Sequence, residues 1–269
     1  MTQSVDQAVL VAIAAHADDA ELNAGGTLAK WVAGGGRVRL VMVTNNCSGY
    51  LIPDDGDESR MQRLGPAQTT AIRRREQQAA AALLDAEVVD LGFCQRHYWD
   101  ADRQCAVEIG YEHPVSPPPE LRDCPQVLYA CHQQRHVDHL ADLLTALRPQ
   151  VIVTHGPLDY DPEHHAVASL VCRAVQTGRP DLGHATLRFW TPGSSCPEGM
   201  VPVEYDHIED ISDHFDRKLA LCACHASQMT TAREEMVRRR AERWGQRMGV
   251  RYAEPFVTAG VAVDRRVAR

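Results

Sequence analysis

Residues 8–45, AVLVAIAAHADDAELNAGGTLAKWVAGGGRVRLVMVTN, contain the pattern that decides the fold. Residues 8–15 are a short, unbroken apolar run, which reads as a fully buried strand. Residues 20–33 carry helix formers, and Gly34 to Gly36 supply the stop. RVRLVMVTN, residues 37–45, is a second strand. Strands that are apolar throughout, joined by a helix, belong to a parallel sheet covered on both faces. Between the first strand and its helix stand His16, Asp18 and Asp19. Such groups cost free energy to desolvate unless something pairs with them. The turn is therefore either solvated or half of a metal site.

The rhythm continues outward. A polar loop covers 46–60, a helix 67–85 and a third strand 87–93. A helix at 139–149 ends at Pro149, a fourth strand spans 150–156, and residues 165–177 are helical again. The fold class is α/β, a mostly parallel sheet with helices on both faces and no domain boundary. Two segments break the pattern. Residues 94–125 contain VSPPPE and little periodicity, which predicts an inserted loop or lid, too long for a passive connection. Residues 186–215 predict short strands (LRFWTP and VEYDHIEDI), followed by one last helix at 214–247 and a tail strand in PFVTAGVAV. In such sheets ligands sit at the carboxyl ends of strands near a switch in strand order. His16 lies at one such end, and Asp159 to His165 lie past another.

The 269 residues are 44% hydrophobic, enough for a large core, but only 6% aromatic, so aliphatic side chains do most of the packing. A net charge of -8 argues against nucleic acid and anionic membrane as partners. Lys30 and Lys218 are the only lysines. Nine cysteines without a C-x-x-C pair suit a reduced, cytoplasmic protein better than a disulfide framework. No signal-peptide pattern opens the chain, and no apolar run approaches the ~20 residues of a membrane span.

A hydrolytic zinc site uses three protein ligands and an open position. His16 and Asp19 are close enough to converge on one ion from a tight turn, which leaves Asp18 free to take a proton. HGPLDYDPEHHAVAS, residues 155–169, brings His164 to the end of the fourth strand. If the first and fourth strands are neighbours, His164 completes the set. His132, His136 and His139 offer a competing cluster at helical spacing. Residue 133 is Gln, so H-E-x-x-H is missing, and the cluster is expected to be a solvated helix start or a substrate-loop element. A nucleotide-binding reading of NAGGTLAKW fails because G-x-G-x-x-G is missing and Asp18 and Asp19 would repel a pyrophosphate. A two-metal phosphoesterase needs more carboxylates than these motifs supply.

Taken together, the motifs resemble the LmbE-like (PIG-L) N-acetylglucosaminyl de-N-acetylases. AHADDAELNAGGTLAKWVAGGGRVRLVMVT is similar to their opening, A/P-H-P-D-D-E and then G-G-T. IRRREQQAAAALLDAEVVDLGF supplies R-x-x-E at Arg73 and Glu76, followed by L-G. RPQVIVTHGPLDYDPEHHAVA, DRKLALCACHASQ and AEPF continue in the right order. The resemblance implies one Rossmann-like domain over 1–269, with the insert at about 94–125 and C-terminal strands and helix at about 186–263. It implies one Zn2+ per chain held by His16, Asp19 and His164, with Asp18 as general base for hydrolysis of an acetamide on an amino sugar.

Three departures stand out. Ala17 replaces a usual Pro, and Ala20 replaces a usual Glu, with Glu21 adjacent. The family's H-P-D-H reads Asp161-Pro162-Glu163-His164. The first histidine of that motif is a charged donor to the oxyanion, whereas an ionised Asp161 only accepts. Either zinc alone serves the oxyanion, or His165, His97 or Arg73 does, or Asp161 is protonated. Asp161 is thus a candidate catalytic residue or a support to a histidine, and a sugar-binding chain without turnover is a third reading.

Members of the family act on mycothiol and bacillithiol precursors, glycosylphosphatidylinositol precursors and glycopeptide antibiotics. Tyr98, Trp99 and Tyr111 in the insert offer aromatic faces for a bulky acceptor. The resemblance therefore points to the deacetylases of teicoplanin-type glycopeptides, with a glycoconjugate as partner and Arg73, His97, Tyr98 and Trp99 as substrate-binding residues. A small glucosaminyl thiol precursor is the alternative substrate.

Overall fold

β1 (Val9–Ala14) lies between β2 (Arg37–Thr44) and β6 (Val151–Thr154) and is parallel to both. The computed structural model describes residues 7–53, 57–110, 117–179, 182, 184–190 and 204–259. β3 (Glu87–Phe93) extends the sheet beyond β2, and β7 (Thr186–Trp190) extends it beyond β6, again in parallel. β9 (Ala253–Thr258) and β8 (His207–Asp210) finish that edge as antiparallel strands. The order is β3-β2-β1-β6-β7-β9-β8, and the sheet has seven strands among the described residues. The chain builds outward from β1 in one direction and resumes on its other side with β6. The switch in strand order therefore falls between β1 and β6, the neighbours that the sequence reading required.

β1 shows why the sequence reads this way. Val9, Val11 and Ile13 face one core layer, with α4 (Gln134–Leu147) and α5 (Pro162–Val175) packed over it. Leu10, Ala12 and Ala14 face the other, beneath α1 (Asp19–Ala33) and α2 (Pro66–Leu83). A strand covered on both faces has no polar side, so alternation disappears and an unbroken apolar run remains.

The remaining helices differ from expectation in detail. α4 begins at Gln134, five residues before the predicted start, because its first three residues are polar and the apolar period opens only at Val137. Residues 214–247 are two helices, α6 (Phe215–Ala223) and α7 (Thr231–Met248). The break is fixed by polar bonds: Ser227 donates its N–H and hydroxyl to Glu76 at 2.6 and 2.8 Å, and Thr230 caps α7 by accepting from Arg233 N–H at 3.2 Å. The described part of the segment 94–125 is more than a plain loop. It holds the hairpin β4 (His97–Asp100) and β5 (Cys105–Glu108) and the short helix α3 (Val127–Ala130) follows it. Cys47, Cys94, Tyr98, Ile109 and Leu121 give it a small core of its own. Tyr111, the first two residues of the VSPPPE stretch and the end of PFVTAGVAV lie outside the described residues.

One buried ion pair ties together the G-G-T, D-R-K and A-E-P-F stretches. Glu254 accepts from the N–H groups of Gly26 and Thr27 at 3.0 and 2.8 Å, and from the Thr27 hydroxyl at 2.6 Å. Lys218 binds Glu254 at 2.5 Å and also donates to the carbonyls of Glu21 and Leu22 at 3.2 and 2.8 Å. The pair is wedged into the middle of α1, and Gly26 lets the chain approach, since a Cβ there would stand 2.6 Å from Ile211. It thus fixes the helix whose first turn carries Asp18 and Asp19. Among the described residues no helix is long and apolar enough to cross a membrane, and the eight described cysteines are free thiols.

Candidate metal centre and active site

The turn after β1 is tight. The His16 N–H donates to Asp19 Oδ2 at 2.7 Å, and the Ala17 N–H donates to Asn46 Oδ1 at 2.8 Å. Asp18 precedes the first turn of α1 with φ of 108°, in the left-handed region that side chains rarely adopt. That conformation sends two consecutive carboxylates in different directions. Asp19 turns toward β6, and Asp18 turns toward Arg73 on α2, whose Nη2 lies 3.2 Å from Asp18 Oδ2 and also donates to the Ala17 carbonyl.

α5 brings the third group. His16 Nδ1 and His164 Nε2 are 3.2 Å apart, His16 Nδ1 is 3.4 Å from Asp19 Oδ2, and His164 Nε2 is 3.5 Å from Asp19 Oδ1. A tetrahedral site with bonds of 2.0–2.1 Å has ligand atoms roughly 3.3 Å apart. Two imidazole nitrogens and a carboxylate at this spacing have the chemistry and the size of a zinc site, and the three residues fit that ion. The far nitrogens settle the tautomers. His16 Nε2 meets Glu163 Oε2 at 2.5 Å, and His164 Nδ1 meets Asp159 Oδ2 at 2.9 Å. Each carboxylate takes the outer N–H and leaves the inner lone pair facing the common point. His155, Asp159 and His164 also lie within ligand range of one another, but His155 is wholly buried and His164 Nδ1 is occupied by Asp159. His16, at 17% side-chain exposure, leaves the first set open to a substrate.

Electrostatics separates the two acids. Burial pushes the Asp18 carboxyl up and the Asp19 charge adds to this, against the pull of Arg73. Burial also opposes ionisation of Asp19, yet His164 and His155, with hydrogen bonds from His155 and His16, hold it well below the usual carboxylate range. Glu163 is held at about 2 despite burial, by His16 and by the Arg96 N–H and Gln95 amide at 2.6 and 3.1 Å. Burial opposes the charged forms of His16 and His164, but the carboxylates around them raise both pKa values. The result is one acid fixed as an anion among imidazoles and one whose charge is less secure, which suits a ligand and a base.

Other predicted residues take different places. Asp161 is the N-cap of α5: its Oδ1 accepts from the Glu163 N–H at 2.9 Å. The carboxylates that meet the two histidines are Asp159 and Glu163, while Asp161 caps the helix. Arg73 is buried at 4% exposure, with its Nη2 committed to Asp18 and Ala17 and its Nη1 3.6 Å from Glu76, so it holds Asp18 and does not reach the surface. Tyr98 is in the small core of the insert and offers no stacking face. Trp99 is half-buried beneath Arg63, whose guanidinium lies 5.0 Å from its ring and 5.2 Å from that of Tyr50. His97 is half-buried, and burial holds its imidazole below the ordinary value. His165 is exposed on α5. His136 packs edge-on against Phe93 while His132 and His139 are exposed, so that cluster is dispersed.

Glu163, Asp159 and His155 were missed. Glu163 and Asp159 carried a signal, since each sits within five residues of the candidate ligand His164. His155 carried a weaker one, because it falls inside the strand read at 150–156 and, unlike His16, has no acid within three residues.

Residues 11–175, which span β1 to α5 and hold all these groups, match the profile of the GlcNAc-PI de-N-acetylase (PIG-L) family. The chain belongs to that family. It is 27% identical over 270 residues to the 1D-myo-inositol 2-acetamido-2-deoxy-alpha-D-glucopyranoside deacetylase of Nocardioides sp., covering 84% of each chain. Its fold is similar to that of N,N'-diacetylchitobiose deacetylase from Pyrococcus horikoshii, with a TM-score of 0.64, 21% identity and coverage of 94% of this chain and 84% of the other. A zinc-inhibited form of teicoplanin deacetylase is similar too, with a TM-score of 0.63, 18% identity and coverage of 94% and 100%.

Proposed function

We propose that the chain is a zinc-dependent hydrolase that removes the acetyl group from an N-acetylglucosamine moiety. The observation that carries this reading is a spare carboxylate beside a ligand set: Asp18 is held by Arg73 at 3.2 Å, while its neighbour Asp19 joins His16 and His164. When bound by those three residues, zinc supplies a Lewis acid for the amide carbonyl and the attacking water. Asp18 takes the proton from that water, and its upward-shifted pKa makes it a stronger base than an exposed aspartate. Arg73 keeps the carboxylate aimed. The same carboxyl then returns the proton to the departing glucosamine nitrogen, and acetate is the second product. Asp161, committed to capping α5, takes no part.

For the acceptor we favour a glycopeptide. Leu158 and Tyr160 flank Asp159 on the β6–α5 connection and are 57% and 56% exposed, an apolar rim that an inositol would not need. The second reading, a small glucosaminyl thiol precursor, is supported by the relatives that match most of the chain, whose names specify an inositol-linked acetamido sugar. Mass spectrometry after incubation with an acetylated glycopeptide, N-acetylglucosaminyl inositol and N-acetylglucosamine tests both. Loss of the acetyl mass from none of them rejects deacetylation. Leu158→Ala and Tyr160→Ala should raise KM for the glycopeptide alone, and equal effects on all three substrates reject the rim.

A further inference from the structure

His155 has no part in the chemistry above, yet it is 0% exposed and touches two of the three ligand residues. Its ring stacks on His164, with centroids 4.0 Å apart at 26°, and its Nε2 is 3.2 Å from Asp19 Oδ2. On the far side, Trp190 Nε1 is 3.3 Å from His155 Nδ1. The Ala15 N–H also lies 3.0 Å from Nε2.

Indole nitrogen only donates, and an ionised carboxylate only accepts. With the proton on Nδ1, two N–H groups would meet at Trp190 and two lone pairs would meet at Asp19; only the bond from Ala15 would survive. With the proton on Nε2, Trp190 donates to Nδ1 and Nε2 donates to a carboxylate, two bonds of which one is charge-assisted. The single loss is the Ala15 N–H. A doubly protonated ring is excluded on the same ground, because Nδ1 faces a donor. Trp190 therefore selects the tautomer in which His155 donates to Asp19.

We propose that Trp190 and His155 form a positioning relay that fixes the carboxylate of Asp19 for the metal. The relay rests on the reading of Asp19 as a ligand. His155 holds Oδ2, the oxygen that also receives the His16 N–H at 2.7 Å, so that Oδ1 is presented toward His164 Nε2. This is the counterpart, on the acidic ligand, of what Glu163 and Asp159 do for the two histidines. Removal of such outer partners lowers metal affinity about 10–100-fold.

The test is zinc affinity of the full chain by competition with a chelating dye, with thermal unfolding of the metal-free protein in parallel. Trp190→Phe deletes the N–H and keeps most of the ring, and should weaken zinc binding about tenfold. His155→Leu should weaken it at least as much. His155→Gln carries its own donor and needs no tautomer chosen, so it should bind more tightly than His155→Leu, and adding Trp190→Phe to it should cost no further affinity. Wild-type affinity in both Trp190→Phe and His155→Leu overturns the relay. Equal weakening in His155→Gln and His155→Leu also overturns it, since packing alone would then account for the loss. If His155→Leu fails to fold, Trp190→Phe decides. A wild-type chain that takes up no zinc removes the ligand set itself, and the relay with it, which separates that failure from the failure of the relay.

Discussion

Glu163→Gln probes a buried support of the site. The carboxylate accepts three hydrogen bonds, from His16 Nε2, the Gln95 amide and the Arg96 N–H, at 2.5, 3.1 and 2.6 Å. A glutamine keeps one acceptor oxygen and turns an NH2 toward a donor, so it loses at least one charge-assisted bond and creates a donor–donor contact. The ionised form is favoured in the fold, where the group titrates at about 2 against an ordinary value of 4.5, which corresponds to about 3 kcal/mol. For a chain of this size that is roughly 5–10 °C in Tm. Because the folded pKa is depressed, this contribution is complete above about pH 4.5 and is lost as the pH falls toward about 2. The variant lacks the titrating group. The stability gap between wild type and variant, from urea unfolding of the metal-free proteins, should therefore be about 3 kcal/mol near neutral pH and should shrink steadily in acid. Zinc affinity should drop about 10–100-fold, because His16 loses the partner that fixes its Nδ1 lone pair. A gap below about 1 kcal/mol at neutral pH, together with unchanged zinc affinity, refutes the reasoning.

Asp18→Asn should keep its zinc, since Asp18 is not a ligand, while deacetylation falls about 10²–10⁴-fold; metal analysis beside the mass assay checks both, and near-normal turnover removes the base. Zinc uptake should release protons and tighten as pH rises through neutrality, because the raised pKa values of His16 and His164 let protons compete for their lone pairs. Calorimetry in buffers of different ionisation enthalpy measures this, and a heat independent of buffer contradicts it. Gly26→Ala sets a Cβ 2.6–2.9 Å from Ile211 and should lose about 1–3 kcal/mol in urea unfolding; an unchanged midpoint would mean α1 can shift freely. Lys218→Met leaves Glu254 charged and buried, at an expected loss of about 3–5 kcal/mol, part of which the double variant Lys218→Met/Glu254→Gln should recover. Equal stability of the single and double variants argues against the pair.

By itself the sequence determined the α/β layering and the place of His16 just past a buried strand, and it singled out Asp18, Asp19 and His164 as candidates for the site. These are local properties. An apolar run with no alternation announces a strand covered on both faces, and a polar cluster at its end has little reason to be there unless it is used. Tertiary structure decided the rest, because the rest depends on which side chains meet across more than a hundred residues of chain. Arg73 looked like a substrate contact until the packing of α2 buried it against Asp18. Tyr98 looked like a stacking surface until the insert closed on its own small core. Asp161 stands at a family position, but the backbone turns there to start α5, and its Oδ1 caps that helix by accepting the Glu163 N–H. Hydrogen-bond partners of a buried group are chosen by geometry within a few tenths of an ångström. Residue type and spacing along a chain fix which elements form, and only their packing brings Glu163 to His16 and His155 to Asp19.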